Sequence, residues 1–191
     1  DWSSDVCSSD LSIDPKIPLP VQKKEKVDSD SFDPNELSQE QILAGILTIL
    51  AYDSSNEHAD YYRKLIQDAR PGIKEELAEA AILKTKNEDW DLAEEIWLAL
   101  KGLAPEDTAI TIDIALFFDQ RADSYRKSGL HEDADAYDDT ALQYYTKAMN
   151  VEPEVPDAFF NAGFFFLKQN LYAKARDCFE SFLGLTAGEK D

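Results

Sequence analysis

Basic residues are scarce in this chain of 191 residues: 19 Lys and Arg stand against 39 Asp and Glu, a formal net charge of −20. A surface of that sign repels phosphate backbones. It argues against nucleic acid and anionic membranes as partners and for proteins or peptides with basic or apolar surfaces. Cysteine is nearly absent. Cys7 and Cys178 lie far apart, so there is no disulfide framework and no metal-ligand spacing, and a reducing, cytoplasmic setting is favoured. His58 and His131 sit in different segments, and neither has a Cys or a second His at ligand spacing. No apolar run reaches the roughly 18–20 residues of a membrane span. The longest are Ile42–Tyr52, Ala109–Phe118 and Ala158–Leu167. The chain begins with Asp, which leaves open a signal peptide or lipid anchor ahead of it. With only 7 Gly and 8 Pro, the prolines mostly between apolar runs, many short strands are disfavoured and long helices favoured.

Residues 1–11 are Ser/Asp-rich and lack any periodicity; they read as a non-native leader rather than as fold. Residues 12–32 hold Pro15, Pro18 and Pro20, then a charged run, QKKEKVDSDS. Too few apolar side chains are present there to offset the entropy of ordering, so the segment reads as a flexible linker.

Order is expected from Asp33-Pro34-Asn35-Glu36, which offers an N-cap, a proline for the first helical position and an acid for a capping box; Ser38 with Gln41 offers a second start. Apolar residues then recur at helical spacing in eight stretches. Ile42, Leu43, Ile46, Leu47 and Leu50 form the first face, and Ala59, Tyr62, Leu65 and Ile66 the second, closed by Pro71-Gly72. The third holds Ile73, Leu77 and Ala81, and the fourth Trp90, Ala93, Trp97 and Leu100. Residues 109–118 alternate in places (Ile110, Ile112, Ile114) as a strand would. The helical set Ile110, Ile114, Phe117, Phe118, Ala122, Tyr125 runs further, so the fifth stretch reads as a helix. Ser128-Gly129 ends it. The sixth, from His131 to Val151, carries Ala134, Tyr137, Ala141, Tyr145 and Ala148; the last two fill residues 156–185 around a turn at Asn170.

The spacing of these stretches is regular. Pro71 to Pro105 is 34 residues, as are Ala59 to Ala93 and Ala141 to Ala175; Ala93 to Ala141 is 48. The excess divides into seven residues at the start of helix five and seven in helix six, each about two turns, which keeps the apolar faces in register. A 34-residue helix–turn–helix period resembles the tetratricopeptide repeat family. The last unit matches the family pattern with Phe159, Gly163, Phe166, Ala175 and Phe179; the third with Phe118, Ala122, Tyr125, Ala141, Tyr145, Ala148 and Pro153; the second with Leu77, Ala81, Ala93, Trp97 and Pro105. Lys84 and Arg63 depart from it where aromatics are expected. The resemblance implies an all-α, right-handed solenoid of four hairpins over residues 33–187, with repeats at 38–71, 73–105, 107–153 and 156–187.

No Gly-rich phosphate loop, nucleophile elbow or triad is visible, so no catalytic residues, metal or cofactor are assigned, and the chain reads as a non-enzyme. The acids Glu132, Asp133, Asp135, Asp138 and Asp139 suit a helix start and lack the glycine and closing glutamate of a calcium loop. The resemblance implies a concave groove lined by first helices. It carries over to Phe160, Asn161, Phe164 and Lys168 in the last repeat and to Gln120, Asp123 and Lys127 in the third. A carboxylate clamp is excluded, because Asp119 and Asp157 stand where basic companions would be needed. Two functions are expected in turn: a scaffold that binds a peptide or helix in this groove, or a homo-oligomer, a homodimer in the simplest case, joined through an uncapped last repeat.

Overall fold

Three turns of this protein share one backbone geometry. In a computed structural model, which describes residues 13–22 and 38–190, Glu88, Gly129 and Asn170 adopt left-handed φ values of 59°, 78° and 60°. Each is the middle residue of a three-residue link. The next residue (Asp89, Leu130, Leu171) returns its N–H to a carbonyl five residues back, at Lys84, Tyr125 and Phe166, over 2.9–3.0 Å. This bond closes the last turn of one helix and aims the chain into the next. Five residues beyond each left-handed position stands a buried alanine, Ala93, Ala134 or Ala175, and seven before it stands Ala81, Ala122 or Gly163. Small residues at these offsets let the paired helices approach closely.

The described residues form eight α-helices packed in pairs, with no strand among them. They divide into two compact units, Asp1–Pro105 and Glu106–Asp191. The first holds α1 (Gln39–Tyr52), α2 (Ala59–Ala69), α3 (Ile73–Lys86) and α4 (Trp90–Leu103). Ser38 caps helix α1. Its side chain accepts from the Gln41 N–H while the Gln41 side chain accepts from the Ser38 N–H, a reciprocal capping box. The earlier start expected at residues 33–36 lies outside the described residues, as do the leader and the linker residues 23–32.

The first hairpin of this unit departs from the other three. Residues 53–58 link α1 to α2 without a left-handed residue, and α1 packs chiefly along α4. Gly102 permits that: a Cβ there would lie 1.9 Å from the Leu50 carbonyl oxygen, so only glycine lets the two backbones come this close. Arg63, which stands where an aromatic was expected, donates from Nε to the Gly102 carbonyl at 2.7 Å. Lys84, the other departure, pairs with Asp89 at 3.3 Å across its own turn. Ile46, Leu50, Ala59, Tyr62, Ile66, Ile73 and Leu103 make one buried cluster. Between α3 and α4, the Trp97 indole donates to the Thr85 hydroxyl at 3.2 Å.

Residues 13–22 lie against α1 and α2. Ile17 packs against the α1–α2 cluster, the Tyr62 hydroxyl donates to the Pro18 carbonyl at 2.7 Å, and the Gln22 N–H donates to the Gln41 carbonyl at 3.0 Å. The segment carries little apolar area of its own; α1 and α2 offer it apolar area and hydrogen-bonding groups.

The second unit holds α5 (Thr108–Lys127), α6 (His131–Met149), α7 (Pro156–Lys168) and α8 (Tyr172–Thr186), then a 3-10 turn, Ala187–Lys190. Asp107 caps α5 by accepting from the Ile110 N–H, and Pro156 occupies the first turn of α7. From Glu88 to Gly129 and from Gly129 to Asn170 is 41 residues, seven more than 34 in each interval. The helix-six insertion lies beyond Ala134, so Ala134 rather than Ala141 takes the post-turn position of Ala93 and Ala175. Ala134 and Ala141 are both fully buried. The added turns build their own core, Ile112, Ala148 and Ala158, flanked by Leu116, Met149 and Val155. Nearer the turn, Tyr125, Tyr137, Phe118 and Tyr144 stack in sequence between α5 and α6 at 5.1–6.0 Å, with the Arg121 guanidinium 4.7 Å over the Tyr137 ring.

Candidate functional site in the second unit

Helical spacing sets one wall of a cleft on each of three helices. On α5, Asp123 and Arg126 are three apart and face the same side as Asp119 four residues earlier. On α6, Asp135, Asp138, Asp139 and Leu142 follow i, i+3, i+4, i+7 spacing. On α7, Phe165 and Lys168 share a face, with Gln169 just beyond. These faces enclose a space of about 680 Å3 lined by Asp123, Arg126, Asp135, Asp138, Asp139, Leu142, Phe165, Lys168 and Gln169. Four carboxylates and two cations line it, so it carries negative charge at neutral pH.

The charges form an alternating chain across the three helices. Lys168 Nζ lies 2.5 Å from Asp119 Oδ1 and 2.7 Å from Asp123 Oδ2. Asp123 Oδ1 in turn accepts from Arg126 at 2.9 Å, and the same guanidinium pairs with Asp138. Burial pushes the Asp119 carboxyl above the ordinary carboxylate range, and the Lys168 ammonium only partly offsets it. Asp138 is raised in the same way, with burial outweighing Arg126. For Lys168, burial pulls downward, but the bonds to Asp119 and Asp123 outweigh it and hold the ammonium charged above its usual range. Beneath this chain the Tyr145 hydroxyl is fully buried beside the Asp119 carboxylate. Burial and then the Asp119 charge push its pKa far upward. Its ring packs 5.1 Å from Phe165.

The residues expected to line a groove divide into three groups. Asp123 and Lys168 line the cleft. Phe160 and Phe164 sit farther round α7, toward α8. Their rings meet edge-on at 5.0 Å, and they touch Phe182 at 5.0 Å and Phe179 at 5.1 Å, yet they remain 39% and 49% exposed. Asn161 turns its amide back to the Asp157 carbonyl at 2.8 Å, while Gln120 and Lys127 are exposed and do not line the cleft. The aromatic pair is therefore one edge of a four-phenylalanine cluster on the last hairpin. Gly163 makes room for it, since a Cβ there would come within 2.6 Å of the Phe179 ring.

The acidic run of α6 became a wall because Asp138 found Arg126. The signal for this was present in the i, i+3, i+4 spacing of Asp135, Asp138 and Asp139, read against a basic residue at the end of α5. Cys178 is buried beside the Met149 sulfur at 3.9 Å, and burial, then Asp177, raises its thiol. His58 pairs with Glu57 at 3.5 Å and meets the Tyr62 ring edge-on. Among the described residues no group of three or more His, Cys, Asp or Glu is placed to hold a metal ion. None of the described helices is long and apolar enough to cross a membrane. Comparison of the chain with protein-family models, with curated proteins and with solved structures finds no match in any of the three.

Proposed function

We propose that this protein is a non-catalytic interaction module of tetratricopeptide type, and that its second unit binds a protein segment carrying both basic and apolar side chains. The observation that carries this reading is the open, negatively charged cleft of α5, α6 and α7 beside two half-exposed phenylalanines on the same helix, α7. A cation of the partner meets Asp135 and Asp139 at the cleft wall, and an apolar side chain rests on Phe160 and Phe164. Aromatic anchors beside a charged wall are the usual source of affinity at such surfaces. The repeated turn geometry and the small residues at fixed offsets support the repeat assignment. The engagement of Asp119 and Asp138 by Lys168 and Arg126 supports a binding role over acid–base chemistry, because neither carboxylate stands free to exchange a proton with a substrate.

Selection from a random peptide library against the full chain tests this. Enriched peptides are expected to combine Lys or Arg with apolar residues, to lose affinity on Asp135→Asn with Asp139→Asn, and to lose it on Phe160→Ala with Phe164→Ala. Peptides that bind all these variants as tightly as the parent would refute the reading. A second reading, self-association, rests on the four-phenylalanine cluster together with Leu183, which is 63% exposed on α8. Sedimentation showing a monomer at high protein concentration removes it.

A further inference from the structure

The first unit carries a seat that is already filled. Residues 13–22, IDPKIPLPVQ, lie on the face made by α1 and α2. They begin with a turn: the Lys16 N–H donates to the Asp14 carboxylate at 2.9 Å and the Ile17 N–H to the Asp14 carbonyl at 3.1 Å, with Pro15 in the turn. Pro18 and Pro20 then fix their own φ and bias Ile17 and Leu19 toward extended backbone. The segment therefore loses less freedom on docking than an ordinary chain of its length.

The seat reads this segment mostly through its main chain. The Asp14 N–H donates to the Tyr61 hydroxyl at 2.9 Å, and the Tyr62 hydroxyl donates to the Pro18 carbonyl at 2.7 Å. The Gln22 N–H donates to the Gln41 carbonyl at 3.0 Å, and the Gln41 side-chain amide reaches the Gln22 carbonyl at 3.4 Å. Gly45 is what allows the approach. A Cβ on it would stand 2.5 Å from the Pro20 carbonyl oxygen and 2.8 Å from the Val21 nitrogen. Two tyrosines and a glycine arranged to admit a proline-spaced backbone have the chemistry of an aromatic-lined peptide groove. The occupant is lightly held. None of residues 13–22 is fully buried, whereas Gly45, Ile46 and Tyr62 beneath them are.

We propose that the α1–α2 face is a recognition site for a proline-spaced segment of the form Pro-x-x-Pro-x-Pro with an apolar residue before the second proline. In this proposal residues 13–22 fill the site as an internal ligand, which a segment of the same chemistry on another protein displaces. Tethering gives the internal ligand an effective concentration on the order of millimolar. A free peptide therefore competes poorly with the intact chain and well once the tethered copy is weakened. The site lies in the first unit and stands independently of the cleft in the second.

The test uses a fluorescent peptide of residues 13–22 and the full chain. Ile17→Asp with Pro20→Gly disables the tethered segment without touching the seat. This chain is expected to bind the peptide saturably and at least about tenfold tighter than the parent does. Adding Gly45→Leu is expected to abolish that binding. In the parent background, Gly45→Leu alone is expected to strip hydrogen-exchange protection from the amides of Asp14 and Gln22 while leaving that of α1–α4 in place. The proposal is overturned if the peptide fails to bind the disabled chain at unchanged helix content, or if a scrambled peptide binds as well. It is equally overturned if Gly45→Leu alone leaves both amides protected.

Discussion

The first and last hairpins are built from the same kinds of residue and differ in what covers them. In the first, α1 is enclosed: α4 crosses it at Gly102, and residues 13–22 lie over Gly45. In the last, α7 keeps a stripe from Phe160 through Phe164 to Lys168 at the surface, backed by α8 and bordered by the charged cleft. The glycines record the difference. Gly102 sits under the main chain of a packed helix, which cannot move aside, and Gly45 under the main chain of residues 13–22, whereas Gly163 sits under the ring of Phe179, which can rotate. One hairpin is covered by the rest of its unit; the other is open to solvent.

The largest effect that would test this contrast is on stability. Gly102→Ala forces a methyl into the Leu50 carbonyl and is expected to cost about 3 kcal/mol or more, read as a lower denaturant midpoint. Gly163→Ala meets only a ring that can rotate, and gains helix propensity worth about 1 kcal/mol, so its net cost is expected to be about 1 kcal/mol or less. Equal losses at the two glycines would remove the distinction.

The pH dependence of the second unit sharpens it further. Asp113, Asp119 and Asp138 all have carboxyls raised above their usual value of 3.8, each mainly by burial. Such groups hold a proton more tightly folded than unfolded. Stability is therefore greater on the acid side of the window between the ordinary and the raised values, and is lost as pH rises through it. Melting is expected at higher temperature in mildly acid buffer than at neutral pH, with Asp113→Asn flattening the profile. A melting temperature that falls steadily from neutral to mildly acid pH would contradict this.

Tyr145→Phe removes a buried hydroxyl set against the Asp119 carboxylate and is expected to destabilise the chain by about 1 kcal/mol in a chemical melt. A gain of similar size would mean that the hydroxyl draws nothing from Asp119. The smallest effect concerns the shared turns. Glu88 adopts the left-handed conformation that glycine adopts at Gly129, so Glu88→Gly is expected to stabilise by about 0.5–1 kcal/mol, and Gly129→Ala to destabilise by about as much.

The hairpins were legible in the sequence because their signals are local. Ser128-Gly129, Asn170 and the small residues at fixed offsets from them sit within a few positions of the geometry they produce. The helical reading of residues 109–118 prevailed over the alternating one because its apolar set continues through Tyr125. What escaped was non-local. Lys168 reaches Asp119 across 49 residues, and Tyr62 reaches Pro18 across 44, so neither bond leaves a mark in either segment alone. Asn161 reads as an exposed amide at a groove position, yet the carbonyl of Asp157 one turn earlier satisfies it. The repeat pattern does mark Phe160 and Phe164 as surplus to pairing within the hairpin. It does not tell that α8 would take up half of each ring.

The most direct measurement is amide chemical-shift mapping on the labelled full chain, titrated with a peptide that pairs Lys or Arg with apolar residues. The proposed cleft predicts perturbations concentrated in α5, α6 and α7, at Asp123, Asp135, Asp139, Phe164 and Lys168, and lost in the Phe160→Ala, Phe164→Ala double variant. Shifts confined to residues 13–62, or shifts that survive in the double variant, would contradict it.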